Sequence, residues 1–531
     1  MKSKKSLFQS IFALILSLAI LSGMTVAVYA EAEPQTVDSG TCGKNVSWTL
    51  YDNGKLVISG TGKMRDYGFY VNSFSPFYYK ESLFKEVVIE EGVKSIGNYT
   101  FYKCRNFTSI SIPDSVISIG VGAFIDCNGL ESIKVDEKNT VYDSRENCNA
   151  IIKTETNELI SGCKNTKIPD NVTSLGNSAF SGCSDLTCIN IPASVTSISS
   201  SAFDWCSGLE NIKVDENNTI YDSRENCNAI IKTETNELIS GCKATVVPDG
   251  VKSLGDFAFD GCSGLTSINI PAGVTSIGNY AFGWCSGLTS INIPDSVTNI
   301  KDYAFIKCSG LTSINISDRV TSIGKSAFRE CGGLISINIP DGVTSIETYT
   351  FNECSGLTSI KIPDSVTNIG SYAFENCPNL LITNFPESLE TIHYTAFKDC
   401  TKLNNYTGTI SCGIKALCGG ITVALNNKFC SISVKGTPIE QLEKLYIPVD
   451  IEVVSDNAFA KCTSLKEVTI GNNVKRIGSN AFANCPLETV YFKGTKAEWD
   501  EVCGKNVNLS SADVIFVDYS CGEELSAKFS L

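Results

Sequence analysis

The sequence is poor in the residues on which most catalytic and metal sites depend. Among its 531 residues it has a single histidine, His393, together with three methionines and four tryptophans. A zinc site usually needs several histidines or closely spaced cysteine pairs, and no Cys-x-x-Cys pair is present. The sequence therefore argues against structural zinc and against acid–base catalysis built on histidine.

The chain also has no basic cluster and, after its first thirty residues, no long apolar run. Its formal net charge is −14. An acidic surface repels phosphate backbones, so nucleic acid is not expected as a partner. No transmembrane segment is expected after signal cleavage, because no later stretch is long and apolar enough to cross a bilayer.

The first thirty residues have the organisation of a signal peptide. Lysines at positions 2, 4 and 5 precede an apolar run over 11–21, and Val28-Tyr29-Ala30 provides a cleavage motif. An uncleaved membrane anchor stays open as an alternative, although the apolar run is short for a span. We expect residues 1–30 to be removed and the mature chain to be secreted or held at the cell surface.

What the sequence has in abundance is a repeat with a period of 23 residues. Residues 286–308 read SGLTSINIPDSVTNIKDYAFIKC, and residues 309–331 read SGLTSINISDRVTSIGKSAFREC. The shared pattern is L-x-x-I-x-I-P-x-x-V-x-x-I-x-x-x-A-F-x-x-C. Its phenylalanine recurs at thirteen positions, each with a cysteine three residues later: Phe101, Phe124, Phe180, Phe203, Phe259, Phe282, Phe305, Phe328, Phe351, Phe374, Phe397, Phe459 and Phe482.

One repeat unit cannot bury its apolar residues alone. The L-x-x-I-x-I part alternates as a strand with one buried face, and the proline after it ends the strand. A polar turn and a second apolar pair, V-x-x-I, follow. The A-F-x-x-C part has helical spacing and predicts a short helical or 3-10 segment. Stacking such units would bury one continuous core, which predicts a solenoid.

These repeats resemble the BspA-like leucine-rich repeats of secreted bacterial proteins, over about residues 86–495. The resemblance implies a leucine-rich repeat solenoid, α/β or mostly β with short helical or 3-10 segments, whose parallel strands line one face. It also implies a secreted or cell-surface protein that binds other macromolecules. Members of the family have been linked to adhesion to host matrix proteins and to other microbes.

The period also divides the chain into segments. Residues 41–60 read as two strands joined at Asn53-Gly54, a strong hairpin signal. At the other end, Lys496 to Val502 is a candidate helix and Val514 to Tyr519 a candidate strand. The expected segments are an N-terminal β cap (31–85), a repeat array (86–400) with hairpin inserts near 134–166 and 213–245, an irregular coil or hinge (401–445), a second short array (446–495) and a C-terminal cap (496–531).

The two inserts share the stretch DSRENCNAIIKTETNELISGCK, at 143–164 and at 222–243. Apolar alternation on both sides of the polar turn at 154–157 predicts a hairpin. No histidine lies in the stretch and its cysteines have no activating partner, so catalysis is not expected. A calcium site stays open as an alternative because hard oxygen ligands are present, at Asp136, Glu137, Asp143 and Glu146.

The 24 cysteines allow two interpretations. The thirteen repeat cysteines occupy a buried position, where a free thiol packs as a small apolar group. Stacked side chains point the same way, which favours a ladder of reduced thiols, with disulfides between coils as the alternative. If the hairpins bring them together, Cys148 with Cys163 and Cys227 with Cys242 are the expected disulfide pairs.

The outward residues of the predicted sheet form the candidate binding surface. They make two columns of small hydroxyl and amide groups, a kind of surface that solenoids use for extended ligands. Because aromatic and arginine anchors are missing from it, we expect weak contacts that add along the array. The candidate residues are Ser267, Asn269, Ser290, Asn292, Ser313, Asn315, Ser336, Asn338, Ser359 and Lys361.

The sequence thus predicts an adhesion or interaction module and not an enzyme. The expected partners are host matrix proteins, mucins or microbial surface polymers, and no cofactor or metal is expected. The alternative is a structural surface spacer, or a self-associating scaffold, without a specific soluble ligand.

Overall fold

The computed structural model describes residues 33–68, 70, 73–382, 462–503 and 512–516, together with short pieces between 386 and 460. The predicted signal peptide lies outside the described residues. The predicted solenoid is confirmed: each repeat makes one coil, and the strands of successive coils pair in parallel. A coil has three sides, namely a first strand, a shorter second strand, and a series of turns that carries the phenylalanine and cysteine of the motif.

The first strands stack into what we call the first column. Strand Ser290–Asn292 buries Ile291 between two exposed residues and pairs residue for residue with Ser313–Asn315. The period-2 pattern therefore forms as predicted. The strands of this column are Glu86–Ile89, Ser109–Ile112, Ser132–Val135, Cys188–Ile191, Asn211–Val214, Ser290–Asn292, Ser313–Asn315, Ser336–Asn338, Ser359–Lys361, Leu381–Ile382, Lys444–Ile447, Glu467–Ile470, Thr489–Phe492 and Asp513–Phe516.

A second column of parallel strands runs beside the first and was not predicted as a sheet. The V-x-x-I pair of the motif forms it, with Ile277 paired to Ile300 and Ile300 paired to Ile323. Most of these strands have two residues, too few to show an alternating pattern in the sequence. They are Gly62–Lys63, Val93–Ile96, Ser118–Ile119, Ser174–Leu175, Ser197–Ile198, Ser253–Leu254, Ser276–Ile277, Asn299–Ile300, Ser322–Ile323, Ser345–Ile346, Asn368–Ile369, Thr391–Ile392, Ala416–Leu417, Val453–Val454 and Arg476–Ile477.

The third side of the coil is not helical, so the helical or 3-10 segment predicted there is wrong. In the coil of Phe305, Tyr303 and Lys307 have positive φ angles, 60° and 58°. Left-handed residues on both sides of the phenylalanine prevent a continuous helix. The backbone N–H groups of these three residues instead donate to carbonyl groups of the next coil, at 2.9, 2.8 and 2.7 Å. Hydrogen bonds thus join neighbouring coils on the third side as well.

From Phe259 to Phe397 the phenylalanine rings form a continuous stack under this third side. The centroid of the Phe305 ring lies 5.2 Å from that of Phe282 and 5.3 Å from that of Phe328, with the rings almost parallel. All three side chains are fully buried. A ring inside this run is therefore covered by the rings before and after it, and no single coil could bury its phenylalanine alone.

The repeat cysteines lie beside this stack. The Sγ of Cys331 donates to the carbonyl oxygen of Phe305 in the preceding coil, at 3.0 Å, and that oxygen also accepts the backbone N–H of Cys308. The same thiol contact recurs in neighbouring coils, at 2.9 to 3.2 Å from Cys285 to Cys400. The cysteines from 42 to 400, with Cys462 and Cys485, are unbridged. For Cys331, burial holds the pKa of the thiol well above its usual value.

The N-terminal end has the predicted hairpin cap and one further strand. Val46–Tyr51 and Lys55–Gly60 pair antiparallel around the Asn53-Gly54 turn, and Thr36–Gly43 pairs with the other side of Val46–Tyr51. Lys55–Gly60 then pairs in parallel with Glu86–Ile89, which joins the cap to the first column. A 3-10 helix, Tyr78–Leu83, follows the cap. It comes directly after Phe77, whose ring stacks on that of Phe101, so the ring stack begins inside the cap.

At the C-terminal end a helix and a strand cover the last coil. The helix, α1, spans Lys496–Cys503, and the strand Asp513–Phe516 adds to the first column in parallel with Thr489–Phe492. Thr495 and Glu498 cap the helix reciprocally, since each accepts a hydrogen bond from the backbone N–H of the other. Residues 517–519 of the predicted strand lie outside the described residues.

The inserts are hairpins, each built into one coil. In the first, Tyr142–Asp143 and Ile151–Lys153 pair antiparallel, and Ile151–Lys153 pairs with Glu158–Ser161, which continues the second column. The second insert repeats this with Tyr221–Asp222, Ala229–Lys232 and Glu237–Gly241. A 3-10 turn precedes each hairpin, at Arg145–Asn147 and Arg224–Asn226.

The charged residues of the insert hold the hairpin in place. Arg145 donates to both carboxylate oxygens of Asp143, at 2.7 and 2.5 Å, and to Asn157 in the hairpin turn at 2.9 Å. Arg224 makes the equivalent contacts in the second copy. Burial acts to raise the pKa of Asp143, but hydrogen bonds from Arg145 outweigh it and hold that pKa below its usual value. The duplicated stretch is thus a piece of architecture.

The insert has neither the geometry of a calcium site nor the expected disulfide. Asp143 is paired with Arg145, Asp136 accepts the backbone N–H of Lys138, and no three acidic side chains among the described residues are grouped to hold a metal ion. The disulfide expected between Cys148 and Cys163 is absent, and the second copy is likewise unbridged. The thiol of Cys148 contacts the backbone carbonyl of Ala150, and the thiol of Cys163 contacts that of Asn149.

Segment 401–445 is described only in part. Its strand Ala416–Leu417 pairs with Thr391–Ile392 and with Val453–Val454, so the second column passes through it. Three further strands, Thr409–Ile410, Val423–Asn426 and Phe429–Ile432, pair antiparallel. The boundaries expected for this and the other segments stay predictions.

The ring stack predicts a large effect of losing one central phenylalanine. Phe305→Ala should lower the free energy of unfolding by about 3–5 kcal/mol, because it leaves a cavity between two buried rings. Urea denaturation followed by circular dichroism measures this. Phe124→Ala is the matched control, since Phe124 has a ring neighbour, Phe101, on one side and lies at the edge of an insert. An equal or larger loss at Phe124 would contradict the stack as the main source of stability.

The thiol contacts predict a clear order of cysteine reactivity. In a short pulse of iodoacetamide under native conditions, exposed Cys188 should be alkylated, whereas Cys285 to Cys400 should react only after unfolding. Peptide mapping by mass spectrometry measures both. Disulfide-linked peptides from successive coils in the native sample would show that the alternative, a bridged ladder, is correct.

Candidate functional site

The structure places most of the predicted binding residues together on the exposed side of the first column. Ser290, Asn292, Ser313 and Asn315 are all exposed and lie in register on paired strands. The Asn315 side chain donates to Oδ1 of Asn292 at 2.6 Å, so these two amides are joined across neighbouring coils. The hydroxyl groups of Ser290 and Ser313 lie beside this pair and can donate or accept a hydrogen bond.

The next two coils continue this surface and contain a shallow depression. Ser336 and Asn338 pair with Ser359 and Lys361, and all four side chains are exposed. The depression has a volume of about 300 Å³ and is lined by these residues and the two isoleucines between them. We call the surface from Ser290 to Lys361 the first-column face.

Ser267 and Asn269 are exposed but do not belong to a strand, contrary to the prediction. They follow the second insert coil, where residues 245–248 also have no strand and Pro248 lacks a backbone donor. Without a paired strand before it, the chain at 266–270 does not adopt ladder geometry. The regular part of the face therefore begins one coil later than expected, at Ser290.

A larger groove lies where the first insert interrupts the first column. Residues 165–168 form no strand, and a groove of about 820 Å³ opens between them and strand Cys188–Ile191. Lys167, Lys213 and Asp215 line it, together with exposed Cys188. The groove was not predicted, because Lys167-Ile168-Pro169 after the insert resumes the repeat pattern and so predicts a strand.

The third side of the solenoid carries the aromatic anchors that the first-column face lacks. In most coils the residues two before and two after the phenylalanine have positive φ angles, and several of them are aromatic. Phe257, Tyr280 and Tyr303 stack with ring centroids 5.1 and 4.6 Å apart. Beside them, the rings of Trp205 and Trp284 lie 4.9 Å apart, and Trp205 is 38% exposed. The sequence does carry a signal for this cluster: aromatic residues recur at the variable positions two before and two after the repeat phenylalanine.

Two carboxyl groups, a buried one and a half-buried one, lie next to this tryptophan pair. Asp204 and Asp260 each follow a stacked phenylalanine directly, and Asp260 is almost fully buried. Burial raises the pKa of Asp260 to about 8, against a hydrogen bond from Trp205. Burial likewise raises the pKa of Asp204 to about 8, and the nearby Asp260 adds to the effect. Both carboxyl groups are therefore largely protonated at neutral pH.

The single histidine does not organise a reactive site. Its Nδ1 lies 2.9 Å from the hydroxyl of Thr395, and burial lowers the pKa of His393. Within the described part of the chain, no three side chains of His, Cys, Asp or Glu are grouped to hold a metal ion. None of the helices in that part has the length and apolar content of a membrane span.

Comparison with known families gives one clear match. The model of the BspA type leucine rich repeat region matches residues 72–160, 146–239, 230–355, 321–415 and 423–512, which together cover most of the chain. The predicted resemblance is thereby confirmed. The comparison with curated proteins gave no match.

Three solved structures of bacterial leucine-rich repeat proteins are similar to this chain. A leucine-rich repeat protein from Eubacterium ventriosum is 28% identical, with a TM-score of 0.49, covering 68% of this chain and 95% of that one. One from Bacteroides ovatus is 20% identical with a TM-score of 0.36, covering 89% and 98%. A leucine rich cell surface protein from Faecalibacterium prausnitzii is 24% identical with a TM-score of 0.29, covering 89% and 98%.

The raised pKa of Asp260 predicts a pH-dependent effect of its removal. The folded state holds the Asp260 proton up to a pH of about 8, whereas the unfolded chain releases it near its ordinary pKa of 3.8. This group's contribution to stability therefore falls as the pH rises from about 4 to about 8. Asp260→Asn, which stays neutral, should raise the melting temperature at pH 8 and leave it nearly unchanged at pH 4. Differential scanning calorimetry at both pH values measures this.

The matched control is Asp341→Asn, which removes the same charge from an exposed turn. It should change the melting temperature little at either pH. If Asp260→Asn stabilised the protein equally at pH 4 and pH 8, burial of a titrating carboxyl group would not be the cause.

Proposed function

Because the chain belongs to the BspA type leucine-rich repeat family, we propose that it is a secreted or cell-surface interaction module that binds protein or glycan partners through the first-column face. The observation that supports this most directly is the in-register array of exposed serine, asparagine and lysine side chains on four successive coils. Such an array offers the same hydrogen-bonding groups at regular intervals, which suits an extended ligand.

The expected mode of binding is additive. The four strands of the first-column face carry no aromatic side chain, so single contacts with a ligand are weak. Weak contacts repeated along one rigid body still produce useful affinity, because each bound unit of the ligand raises the effective concentration of the next. Host matrix proteins, mucins and microbial surface polymers, all long or repetitive, are the proposed partner classes.

Secretion is part of the same proposal. The basic and apolar start of the chain followed by Val28-Tyr29-Ala30 supports export. The protein from Faecalibacterium prausnitzii is described as a cell surface protein, which agrees with this location.

The test is binding of the mature chain to immobilised matrix proteins, mucins and microbial polymers at physiological salt. We expect saturable binding to at least one ligand. Replacing Ser290, Asn292, Ser313 and Asn315 together by alanine should weaken it by about tenfold, since a net hydrogen bond contributes about 0.5–1.5 kcal/mol and 1.4 kcal/mol is a factor of ten.

The matched control replaces Asn299 and Ser322 by alanine, two exposed residues of the second column in the same coils. These changes should leave affinity unchanged. Deletion of residues 286–354, which is three whole coils, should weaken binding further. Unchanged binding after that deletion would refute the additive contacts, and self-association with no ligand bound would favour the structural spacer instead.

A further inference from the structure

Two of the four tryptophans meet on the surface of the third side, although the second insert lies between them in the chain. Trp205 and Trp284 are separated by 79 residues, and the centroids of their rings are 4.9 Å apart at an angle of 57°. Between them lies Gly261, with φ +72°. A Cβ atom at Gly261 would lie 2.5 Å from Cα of Trp205, so the pair can form only because this position has no side chain.

The equivalent junction at the first insert shows that the fold does not need this tryptophan. There, Gly182 has φ +75° and packs over Asp126 as Gly261 packs over Trp205. In both places the residue under the glycine donates its N–H to the next coil, at 3.2 Å for Asp126 and 2.9 Å for Trp205. The same backbone arrangement thus accommodates an aspartate or a tryptophan, and the exposed tryptophan calls for an explanation other than folding.

The tryptophan pair forms one wall of a cleft of about 330 Å³. This volume is at the lower end of the range for small-molecule sites. The cleft combines apolar ring faces with a row of hydroxyl groups, one from each of four coils. Its lining residues are Trp205, Gly261, Trp284, Lys307 and Glu330, with Ser207, Ser263, Ser286 and Ser309.

The charges around the cleft are balanced. The Nζ of Lys307 lies 3.2 Å from Oε2 of Glu330 and 5.6 Å from the centroid of the Trp284 ring. Asp204 and Asp260, beneath Trp205, are held largely protonated by their burial. The two charged residues among those that line the cleft, Lys307 and Glu330, are thus paired with each other, and the hydroxyl groups supply neutral donors and acceptors. This electrostatic character suits an uncharged ligand rich in hydroxyl groups.

We propose that the cleft walled by Trp205 and Trp284 binds pyranose rings of a neutral glycan. A pyranose ring has an apolar C–H face that packs on an aromatic ring, and hydroxyl groups at its edge that hydrogen-bond to serine, lysine and glutamate. The Trp205 and Trp284 faces supply the first contact, and the serine row supplies the second. The site lies on a different side of the coil from the first-column face and does not depend on the proposed function of that face.

The test uses the mature chain and a panel of neutral hexasaccharides: cellohexaose, laminarihexaose, mannohexaose and xylohexaose. Binding is followed by the change in intrinsic tryptophan fluorescence and by isothermal titration calorimetry. We expect at least one hexasaccharide to bind saturably, with an affinity that changes little between low and high salt because the contacts are uncharged. Trp284→Ala and Trp205→Ala should each weaken binding by about tenfold or more, as for central aromatic anchors.

Two further variants separate a binding role from a structural one. Gly261→Ala keeps both tryptophans but forces Trp205 away from its position, so it should also weaken binding. Tyr372→Ala, an aromatic residue at a positive-φ position of the same side but outside the cleft, should not. Circular dichroism confirms that each variant is folded.

Failure of every hexasaccharide to bind would overturn the proposal, as would binding that survives Trp284→Ala. Loss of hexasaccharide binding in the four-alanine variant of the first-column face, with Trp284→Ala unaffected, would assign the glycan to that face instead. The two proposals therefore fail separately.

Discussion

The carbonyl oxygen of the repeat phenylalanine is the point on which the solenoid depends. It lies in the dry interior, next to the stacked rings, and must be satisfied there. In the coil of Phe305 it accepts the backbone N–H of Cys308 in the same coil and the thiol of Cys331 in the next. A cysteine suits this position because it is apolar enough for the core and still donates a weak hydrogen bond. Alanine would leave out the second donor, and a larger residue would not fit beside the rings.

This interaction explains why the third side has the shape that it has. To aim alternate N–H groups at the following coil, the residues on both sides of the phenylalanine take left-handed φ values. Their side chains then project from the surface and are free to vary, as Tyr303, Trp284 and Glu330 illustrate. The core positions are therefore fixed by the period, whereas the residues two before and two after the phenylalanine are available for recognition without loss of the stack.

The sequence was enough to predict the solenoid, the buried phenylalanines and cysteines, and the hairpin cap at Asn53-Gly54, because each has a local pattern or a constant period. The helical segment was predicted wrongly, since A-F-x-x-C spacing does not report the φ values of Tyr303 and Lys307. Ser267 was expected in a strand but lies outside one, because the preceding coil has no strand at 245–248 for it to pair with. The Trp205–Trp284 contact was beyond reach because it spans 79 residues and depends on Gly261, whose role appears only in three dimensions.

The inserts matter because they interrupt the ring stack. In the insert coils Gly162 and Gly241 take the place of the phenylalanine, and the rings of Phe180 and Phe259 pack where a Cβ atom would lie, at 2.2 Å. On the third side the coils before and after an insert therefore meet directly. At the second insert, the backbone N–H of Trp205 donates a hydrogen bond to the backbone carbonyl of Asp260. A regular solenoid surface offers few clefts, since every coil repeats the last. The second insert breaks that regularity. Gly261, which follows it, allows the rings of Trp205 and Trp284 to meet. The insert has no reactive chemistry of its own, yet it creates the cleft.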